Sequence, residues 1–392
     1  MIRVKKVYTI IFTQLLLFCI YSTGQVIKVG AELTEQYFSL LKDKKIALVS
    51  NQTSMVNQLH LVDTLLKSGF NVVKIFCPEH GFRGSIDAGQ KVDTYKDQLT
   101  GLKVISLYGK NKKPKSGDLS NVDLVIFDIQ DVGARFYTYL STLHFVMESC
   151  AENKIELMIL DRPNPNGFYV DGPVLDLKYR SFVGLDPVPV VHGMTMAEFA
   201  QMINGEKWLR NGMQCKLTVV KCEGYTHKSK YQLPVKPSPN LINMRSVYLY
   251  PSLALFEGTI VNVGRGTDFP FEVFGHPDMK NTTFEYTPKS KPGANSPSNE
   301  GQKCRGVDLR QLSDSDLWKI HFSVQWLIFA YNNSPDKDGF FNKFFYNLSG
   351  NADLQSQIEN GLSEKAIRQG WQYDLESYKK IRKEYLLYED FE

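Results

Sequence analysis

The stretch PEHGFRG brings together three side chains that can do chemistry. The carboxylate of Glu79, the imidazole of His80 and the guanidinium of Arg83 directly follow an apolar run, FNVVKIFC. The proline fixes the backbone ahead of Glu79, and the two glycines allow a tight turn behind it. Partial desolvation at the mouth of a buried sheet favours a protonated carboxyl group, which suits a general acid. We therefore predict that Glu79 donates a proton and that His80 is its neighbouring catalytic candidate. The structural alternative is that Glu79 pairs with His80 or Arg83 to hold the loop.

Polar clusters also follow three other apolar runs. They comprise Ser50, Asn51, Gln52 and Thr53 after KIALV; Asp128, Gln130 and Asp131 after VDLVIF; and Asp161, Arg162, Asn164 and Asn166 after IELMIL. Helix capping, turns or local salt bridges explain any one cluster equally well. Taken together, the hydroxyl, amide, carboxylate and guanidinium groups favour a polyol ligand such as a sugar.

Further candidates lie at the start of a predicted helix and in two turns. DVGARFYTY places Arg135 and Tyr137 in the first turns of a helix, where Arg135 can bind a ligand carboxylate or form a salt bridge to a nearby aspartate. VVHGMT places His192 at a strand end. VGRGTDFPFE places Arg265 and Asp268 in a glycine-flanked turn, where ligand contact and turn formation are equally compatible with the spacing.

The elements that position these residues are predicted to form an α/β fold. From residue 45 onward, the apolar runs KIALVS, FNVVKIF, LKVISLY, VDLVIFD and IELMILD are interleaved with helical patterns over Leu59 to Ser68 and Tyr137 to Glu152. Continuous apolar runs suit strands covered on both faces, so we predict a Rossmann-like, doubly wound parallel sheet. Ligands of such sheets bind outside the carboxyl ends of the strands, where the polar clusters fall.

Cofactor and metal sites are not favoured by the motifs. The first strand ends in SNQTS, where a dinucleotide site needs glycines for close approach to a pyrophosphate, so we expect no nicotinamide or flavin cofactor. Glu79, His80, Asp128 and His192 include possible metal ligands, but no H-E-x-x-H or H-x-H spacing is present. We therefore predict no cofactor and no metal, with a metal site as the less favoured alternative.

Length and composition indicate two domains. The chain has 392 residues, 43% of them hydrophobic, which is enough for more than one core. A polar loop, TPKSKPGANSPSNEGQKC, precedes a helical and charged end. We predict a Rossmann-like catalytic domain over residues 25–268 and a smaller α+β domain over residues 269–392 that completes the cleft.

The first 24 residues have the pattern of a secretory signal. A basic start is followed by an apolar stretch from Ile10 to Ile20 and by small residues before Gln25, where we expect the mature chain to begin. This predicts a secreted protein, periplasmic or extracellular, without stable membrane insertion after cleavage. An uncleaved anchor and a lipid anchor at Cys19 are the alternatives.

Net charge argues against one class of partner, and the cysteine positions argue against two kinds of structural site. Loss of Arg3, Lys5 and Lys6 with the signal lowers the formal net charge from +4 to +1, which gives no electrostatic case for nucleic acid binding. The five remaining cysteines are scattered and show no C-x-x-C spacing, which argues against a disulfide framework or a zinc site. A bridge between Cys215 and Cys222 is the alternative.

Eight ordered motifs resemble one family over nearly the whole mature chain. They are SNQTS, PEHGFRG, FDIQDVGARFYTY, DRPNPNG, VHGMTMAEFA, PSPN, YPSLALFEGT and VGRGTDFPFEVFGHP. The chain resembles the exo-β-N-acetylmuramidases of the NamZ/YbbC type. The resemblance implies a secreted bacterial glycosidase that removes N-acetylmuramic acid from the non-reducing ends of peptidoglycan fragments. It also implies a Rossmann-like domain followed by a smaller domain, with the active-site cleft between them.

The resemblance assigns the catalytic glutamate to Glu79 and leaves its partner open. A glycosidase usually needs a second carboxylate, which we expect to be Asp128 or Asp131, with Asp161 also lying in a motif. The lactyl carboxylate of N-acetylmuramic acid calls for a cationic contact, first Arg135 and then Arg265. Asn240 of PSPN is a further expected substrate contact. The alternatives from other classes are a non-catalytic periplasmic muropeptide-binding protein and a metal-assisted amidase.

Overall fold

The structure is a computed structural model that describes residues 26–84 and 94–392. The predicted signal segment, with Cys19, lies outside the described residues. The strands are β1 Lys45–Ser50, β2 Met55–Val56, β3 Leu59–His60, β4 Asn71–Cys77, β5 Tyr95–Lys96, β6 Lys103–Ser106, β7 Leu124–Asp128, β8 Glu156–Leu160, β9 Asp171–Val174, β10 Pro189–Val191, β11 Leu217–Val220, β12 Val273–His276, β13 Phe284–Tyr286 and β14 Cys304–Asp308.

Helices cover the sheet and form most of the second half. The α-helices are α1 Thr34–Tyr37, α2 Leu61–Lys67, α3 Ser116–Leu119, α4 Tyr139–Asn153, α5 Met196–Gly205, α6 Met244–Leu253, α7 Asp314–Ile320, α8 Gln325–Asn333, α9 Phe345–Ser349, α10 Asp353–Glu359, α11 Glu364–Gly370 and α12 Gln372–Lys383. Short 3-10 helices lie at Gly30–Glu32, Phe38–Leu41, Leu177–Tyr179, Arg210–Gly212 and Ala254–Gly258. No helix among the described residues combines the length and apolarity needed to cross a membrane.

The central sheet has the strand order β11-β8-β7-β1-β4-β6-β5. All neighbouring pairs are parallel except β5 with β6. From β1 the chain winds outward through β4 and β6, then returns to the other side of β1 as β7, β8 and β11, which is the Rossmann order. The predicted α/β, Rossmann-like fold class is confirmed.

The first strand shows why an apolar run produces such a sheet. All four residues Ile46, Ala47, Leu48 and Val49 have no exposed surface, yet they alternate between two separate core clusters. Ala47 and Val49 pack in the cluster that includes α4, while Ile46 and Leu48 pack in the cluster that includes α2. Because both faces are covered, the strand needs apolar residues at every position rather than at alternate ones.

Two predicted helices begin later than their patterns suggested. Leu59 and His60 form β3, so α2 starts at Leu61. The helix predicted from Tyr137 starts at Tyr139; before it, the amide of Arg135 donates to the carbonyl of Val190 in β10, and the amide of Tyr137 donates to the carbonyl of Ala134 in a turn.

The second half packs a small antiparallel sheet with helices. The order is β12-β14-β13, and the helices α7 to α12 follow. The smaller α+β region that the sequence predicted is present. The apolar segment from residue 246 to 266 forms most of α6 and the 3-10 helix Ala254–Gly258, followed by isolated bridges at Thr259 and Asn262.

The five cysteines of the described residues are free thiols, and all are buried. The alternative of a Cys215–Cys222 bridge is therefore wrong for this structure. The thiol of Cys222 instead lies 3.3 Å from the carbonyl oxygen of Asp161.

Candidate active site

A cleft of about 590 Å³ lies at the carboxyl ends of β4 and β6 and against the start of α4. The sheet side of the cleft is lined by Glu79, His80, Tyr108, Phe136, Tyr137, Thr138 and Tyr139. The second half contributes Tyr250, Glu257, Arg265, Phe271, Phe344 and the polar loop at residues 293–297. The long polar loop seen in the sequence is thus part of the cleft wall.

Glu79 is held at the floor of this cleft by its loop and by two hydroxyl groups. The chain turns directly after Glu79, with positive φ at both His80 (69°) and Gly81 (74°). The hydroxyl of Thr138 donates to Oε2 of Glu79 at 2.9 Å. Burial, together with the charge and hydrogen bond of Glu79, holds the pKa of Tyr108 well above its usual range. Glu79 therefore lies between two neutral hydroxyl groups and remains only partly buried.

Glu257 and Arg265, which both line the cleft, form an ion pair. Nε and Nη2 of Arg265 lie 2.8 and 2.6 Å from Oε1 of Glu257. Arg265 also lies over the ring of Phe271, 5.0 Å from its centroid. The side chains of Glu257 and Arg265 retain 27% and 22% of their exposure. A partly exposed ion pair is therefore available to a ligand in the cleft.

Three tyrosines of the cleft lining pack together. The Tyr137 ring makes edge contacts with those of Tyr139 and Tyr250, at centroid distances of 4.6 and 5.7 Å. Burial raises the pKa of all three phenols, so they are neutral. The Tyr137 hydroxyl donates to the Pro237 carbonyl at 2.8 Å. Aromatic surface edged by hydroxyl groups matches the mixed apolar and polar surface of a sugar.

The polar residues at the centre of the sheet edge are buried and bonded to one another. Asp128 has no exposed surface, and Arg162 reaches both of its oxygens, at 2.5 and 3.0 Å. Gln130 donates to the carbonyls of Asp131 and Pro163, at 2.8 and 2.7 Å. Neither Asp128 nor Arg162 lines the cleft. This geometry does not support the expectation that Asp128 acts on a substrate, because its carboxylate is enclosed.

Asn51 supports the cleft from behind. Its side chain accepts from the amide and hydroxyl of Thr53, at 2.9 and 2.6 Å, and donates to the Tyr139 hydroxyl at 3.0 Å. Gln52 turns away from the cleft and donates to the carbonyls of Lys236 and Pro237. Asn51 thus positions a cleft residue, while Gln52 ties two loops together.

Asp131 and His192 lie behind the cleft as a buried pair. His192 Nε2 is 3.6 Å from Asp131 Oδ2, which also accepts from the Gly133 amide at 2.6 Å. Both residues are at most 4% exposed, and neither lines the cleft. This enclosure does not favour the predicted role of Asp131 as the partner of Glu79. It also does not favour the predicted role of His192 as a ligand contact.

Asp161 is buried beneath residues from the end of the chain. It accepts from the Tyr388 hydroxyl at 2.6 Å and from the Ala197 amide at 3.0 Å. Burial raises the pKa of Asp161 to about 6. Asn164 donates to the carbonyl of Met194 at 2.9 Å and accepts from the Asn166 amide, so it closes a local turn. These residues shape loops and do not reach the cleft.

Arg135 is enclosed between the two halves of the molecule. It is 1% exposed, and its Nη atoms donate to the carbonyls of Pro173, Val188, Leu348 and Ser349 at 2.8 to 2.9 Å. Burial lowers the pKa of Arg135 to about 9. Because its terminal nitrogens already bind four carbonyl groups, this geometry does not support a contact to a substrate carboxylate.

Arg83 and Asp268 also lie outside the cleft. Arg83 forms an ion pair with Asp97, 3.0 Å from Nη2 to Oδ2, and this pair ties the loop after Glu79 to the turn beyond β5. Asp268 pairs with Lys291 on the surface, where its side chain is 90% exposed.

Five of the residues expected from the sequence come together in the cleft. They are Glu79, His80, Tyr137, Asn240 and Arg265. Sequence reasoning did not single out Glu257, Tyr108 or Tyr250. Glu257 lies in YPSLALFEGT, where its carboxylate interrupts an apolar stretch, and that interruption is the signal that could have found it.

No group of three or more metal-ligating side chains lies together among residues 26–84 and 94–392. The cleft instead places a carboxylate from each half of the chain around a partly apolar space. A Rossmann-like α/β protein with this arrangement fits the class of glycoside hydrolases, which typically use two carboxylates.

Sequence comparison identifies the family. A model described as exo-β-N-acetylmuramidase NamZ, N-terminal, matches residues 46–245, and its C-terminal counterpart matches residues 248–388. The chain belongs to the NamZ family of exo-β-N-acetylmuramidases, and it is therefore a glycoside hydrolase. The family resemblance stated from the motifs is confirmed.

Known relatives match this chain over nearly its full length. The peptidoglycan β-N-acetylmuramidase NamZ of Bacillus subtilis (strain 168) is 39% identical over 376 residues, covering 91% of this chain and 90% of that protein. Two crystal structures of DUF1343 family proteins from Bacteroides fragilis NCTC 9343 have TM-scores of 0.87 and 0.75, with 48% and 29% identity. Each comparison covers 93% of this chain and 99% of the other.

Proposed function

We propose that this protein releases N-acetylmuramic acid from the non-reducing ends of peptidoglycan fragments during cell-wall turnover. The observation that carries the proposal is the placement of Glu79 on the floor of a cleft that also holds Glu257, Arg265 and aromatic side chains. The activity of the Bacillus subtilis relative supports the substrate class. The partners are then peptidoglycan-derived saccharides, with no nucleic acid.

Glu79 is the general acid of the proposed reaction. Its partly buried carboxyl group receives a hydrogen bond from Thr138, which fixes its orientation. In this role it gives its proton to the leaving oxygen as the glycosidic bond breaks, a contribution of roughly 10²- to 10⁴-fold in rate. The neutral Tyr108 hydroxyl beside it helps to hold the carboxyl group in place.

Arg265 is the proposed contact for the lactyl carboxylate. It lines the cleft, and its pair with Glu257 uses Nε and Nη2, so Nη1 takes no part in that pair. A charge-assisted hydrogen bond from Nη1 distinguishes N-acetylmuramic acid from N-acetylglucosamine, which lacks the lactyl group. Arg265 thus replaces Arg135 as the first candidate.

Secretion is also part of the proposal. Its support is the order of basic, apolar and small residues before Gln25, together with a substrate that lies outside the cytoplasmic membrane. The mature protein is expected in the periplasm or medium. Amino-terminal sequencing that found Met1 intact on a cytoplasmic protein would contradict this expectation.

Turnover of paired substrates tests the function. The purified protein is given a chromogenic β-N-acetylmuramide and the matching β-N-acetylglucosaminide, each with and without a chelator. We expect chelator-independent release from the muramide and much slower release from the glucosaminide. Binding of the muramide without turnover would instead favour a muropeptide-binding protein, and loss of turnover with chelator would favour a metal-assisted reaction.

A further inference from the structure

The described residues that line the cleft include two carboxylates, Glu79 and Glu257. Glu79 follows β4 of the parallel sheet, whereas Glu257 lies on the 3-10 helix Ala254–Gly258 in the second half. The two carboxylates thus reach the same cleft from elements that lie far apart in the chain. The charges of both Glu79 and Glu257 affect the pKa values of Tyr108, Tyr250 and Arg265. All five side chains therefore lie close enough to interact electrostatically.

The backbone that carries Glu257 is rigidly held. Its neighbours Leu255 and Phe256 have no exposed surface. The carbonyl of Gly258 accepts from the amide of Asn342 at 2.9 Å, and a Cβ at Gly258 would lie 2.5 Å from the Cα of Phe345. A side chain on such a packed element keeps a fixed position, which a reacting group needs.

The contacts of Glu257 leave part of its carboxylate available. Nε and Nη2 of Arg265 both contact Oε1, at 2.8 and 2.6 Å, so these two contacts do not use Oε2, and the side chain keeps 27% of its exposure. The ion pair with the guanidinium of Arg265 fixes the orientation of this carboxylate. An oriented and partly exposed carboxylate in the same cleft as a proton donor is the second component that glycoside cleavage usually requires.

The aspartates expected from the sequence do not offer this combination. Asp128 is enclosed by Arg162, and Asp161 is enclosed by Tyr388 and the Ala197 amide. Asp131, 4% exposed, lies behind the cleft lining.

We propose that Glu257 is the second catalytic carboxylate, held in position by Arg265. This inference rests on the proposed function. As the bond from the anomeric carbon to the leaving oxygen breaks, that oxygen keeps the electron pair and receives the proton of Glu79. In a one-step reaction, Glu257 takes a proton from the water whose oxygen bonds to the anomeric carbon. In a two-step reaction, an oxygen of Glu257 first bonds to the anomeric carbon. Water then displaces Glu257 from that carbon, and the water gives a proton to Glu79.

The test compares Glu257→Gln with Glu79→Gln on an aryl β-N-acetylmuramide, the corresponding glucosaminide and a muramyl disaccharide. We expect Glu257→Gln to lower kcat at least 100-fold on all three, because this carboxylate acts at the anomeric carbon whatever the sugar substituent or leaving group. Glu79→Gln should lose much less on the aryl substrates, whose leaving groups need little protonation. Glu285→Gln is the matched control, since Glu285 is a carboxylate paired with Lys303 outside the cleft.

Three results would overturn the inference while wild-type turnover still supported the function. They are a kcat for Glu257→Gln within tenfold of wild type, an effect confined to KM, and a loss on muramides that spares the glucosaminide. The last result would mean that Glu257 only holds Arg265. If Glu257→Gln does not fold, Glu257→Asp keeps the charge but withdraws the carboxylate by one methylene. Wild-type kcat in a folded Glu257→Asp would contradict the role, whereas failure of the wild type on every substrate would reject the proposed function itself.

Discussion

Two polar regions lie at the same edge of the sheet and contain similar residues. The region at the switch of strand direction, between β1 and β7, holds Asp128 and Arg162 in a fully buried bidentate pair. The cleft holds Glu257 and Arg265 in a pair that touches only one carboxylate oxygen and stays about one quarter exposed. Both are arginine–carboxylate pairs, yet only the second leaves atoms for a ligand.

The difference between the pairs distinguishes residues that stabilise the fold from residues that can react with a ligand. In Rossmann-like folds the crevice at the switch point is the usual ligand site. Here Ser54 and Arg162 bond to Asp128 at the end of β7, and the Thr53 hydroxyl accepts from the Gln130 amide in the loop that follows, so these residues fill that crevice. The cleft is displaced toward β4 and β6, where Glu79 and Tyr108 emerge. Position at a strand end is therefore insufficient to identify a reacting group; incomplete hydrogen bonding and exposure are also needed.

The largest expected effect is the loss of kcat when Glu79, in the cleft, is replaced. Glu79→Gln should lower kcat on a muramyl disaccharide by roughly 10²- to 10⁴-fold, because the amide cannot donate the proton that the carboxyl group supplies. Steady-state kinetics measure the loss, and thermal unfolding checks that the fold persists. Near-wild-type turnover by a folded Glu79→Gln would remove Glu79 from the mechanism. The exposed Glu285→Gln variant should keep its activity.

The buried pair should instead respond in stability. Asp128→Asn leaves the charge of Arg162 without its counter-ion, which costs about 3–5 kcal/mol when a buried pair is broken. Urea titration measures the free energy of unfolding, and the activity of the remaining folded protein should stay within a few-fold of wild type. Asp308→Asn is the matched control, because Asp308 pairs with Arg310 near the surface and such pairs contribute about 0–1 kcal/mol. A folded Asp128→Asn with kcat reduced 100-fold would contradict the distinction between the two regions.

Selectivity should depend on the arginine of the cleft and not on the buried one. Arg265→Ala should reduce kcat/KM on the muramide 10- to 100-fold more than on the glucosaminide, since a charge-assisted contact contributes roughly 1.5–3 kcal/mol. Arg135→Ala should lower stability, because four carbonyl groups lose their donor, and leave the substrate ratio unchanged. A changed ratio in Arg135→Ala and an unchanged one in Arg265→Ala would reverse the assignment.

The smallest expected effect concerns the pH dependence of stability at Asp161. Its folded pKa, about 6, lies above the ordinary value of 3.8, so the folded state holds a proton that the unfolded state releases between these values. This contribution therefore stabilises the fold at low pH and is lost as pH rises through 6. Asp161→Asn should gain stability relative to wild type, on the order of 1 kcal/mol, between pH 5 and pH 7. Urea titrations of both proteins at the two pH values check this, and a pH-independent difference would contradict it.

The sheet could be predicted from the sequence because its information is local. KIALVS corresponds residue for residue to β1, and the other apolar runs overlap β4, β6, β7 and β8. A strand buried on both faces must be continuously apolar, so its composition alone predicts it. The position of Glu79 at the cleft was also predictable, because the carboxyl end of a parallel strand fixes where its loop emerges.

The rest of the site depends on contacts between residues far apart in the chain. Arg135 binds carbonyl groups 213 and 214 positions away, at Leu348 and Ser349, which no local pattern reveals. Glu257 sits within an apolar stretch that reads as buried, and only the packing of the second half against the sheet exposes it to the cleft. Motif position therefore identified the edge of the sheet, while long-range packing decided which of its polar residues face the ligand space.

The segment around residues 382–390 has a consequence for the order of folding. Tyr388 bonds to Asp161 across 227 positions, Leu387 bonds to Glu198 across 189, and Arg382 binds both Asp390 and the Gly193 carbonyl. Contacts between such distant positions bear a large loop-closure entropy and form late. During synthesis from the amino terminus, the strands of the sheet emerge well before this segment. The loops after β8 and β10 thus stay without their final partners until almost the whole chain is present, so catalytic competence should appear abruptly at the end of folding.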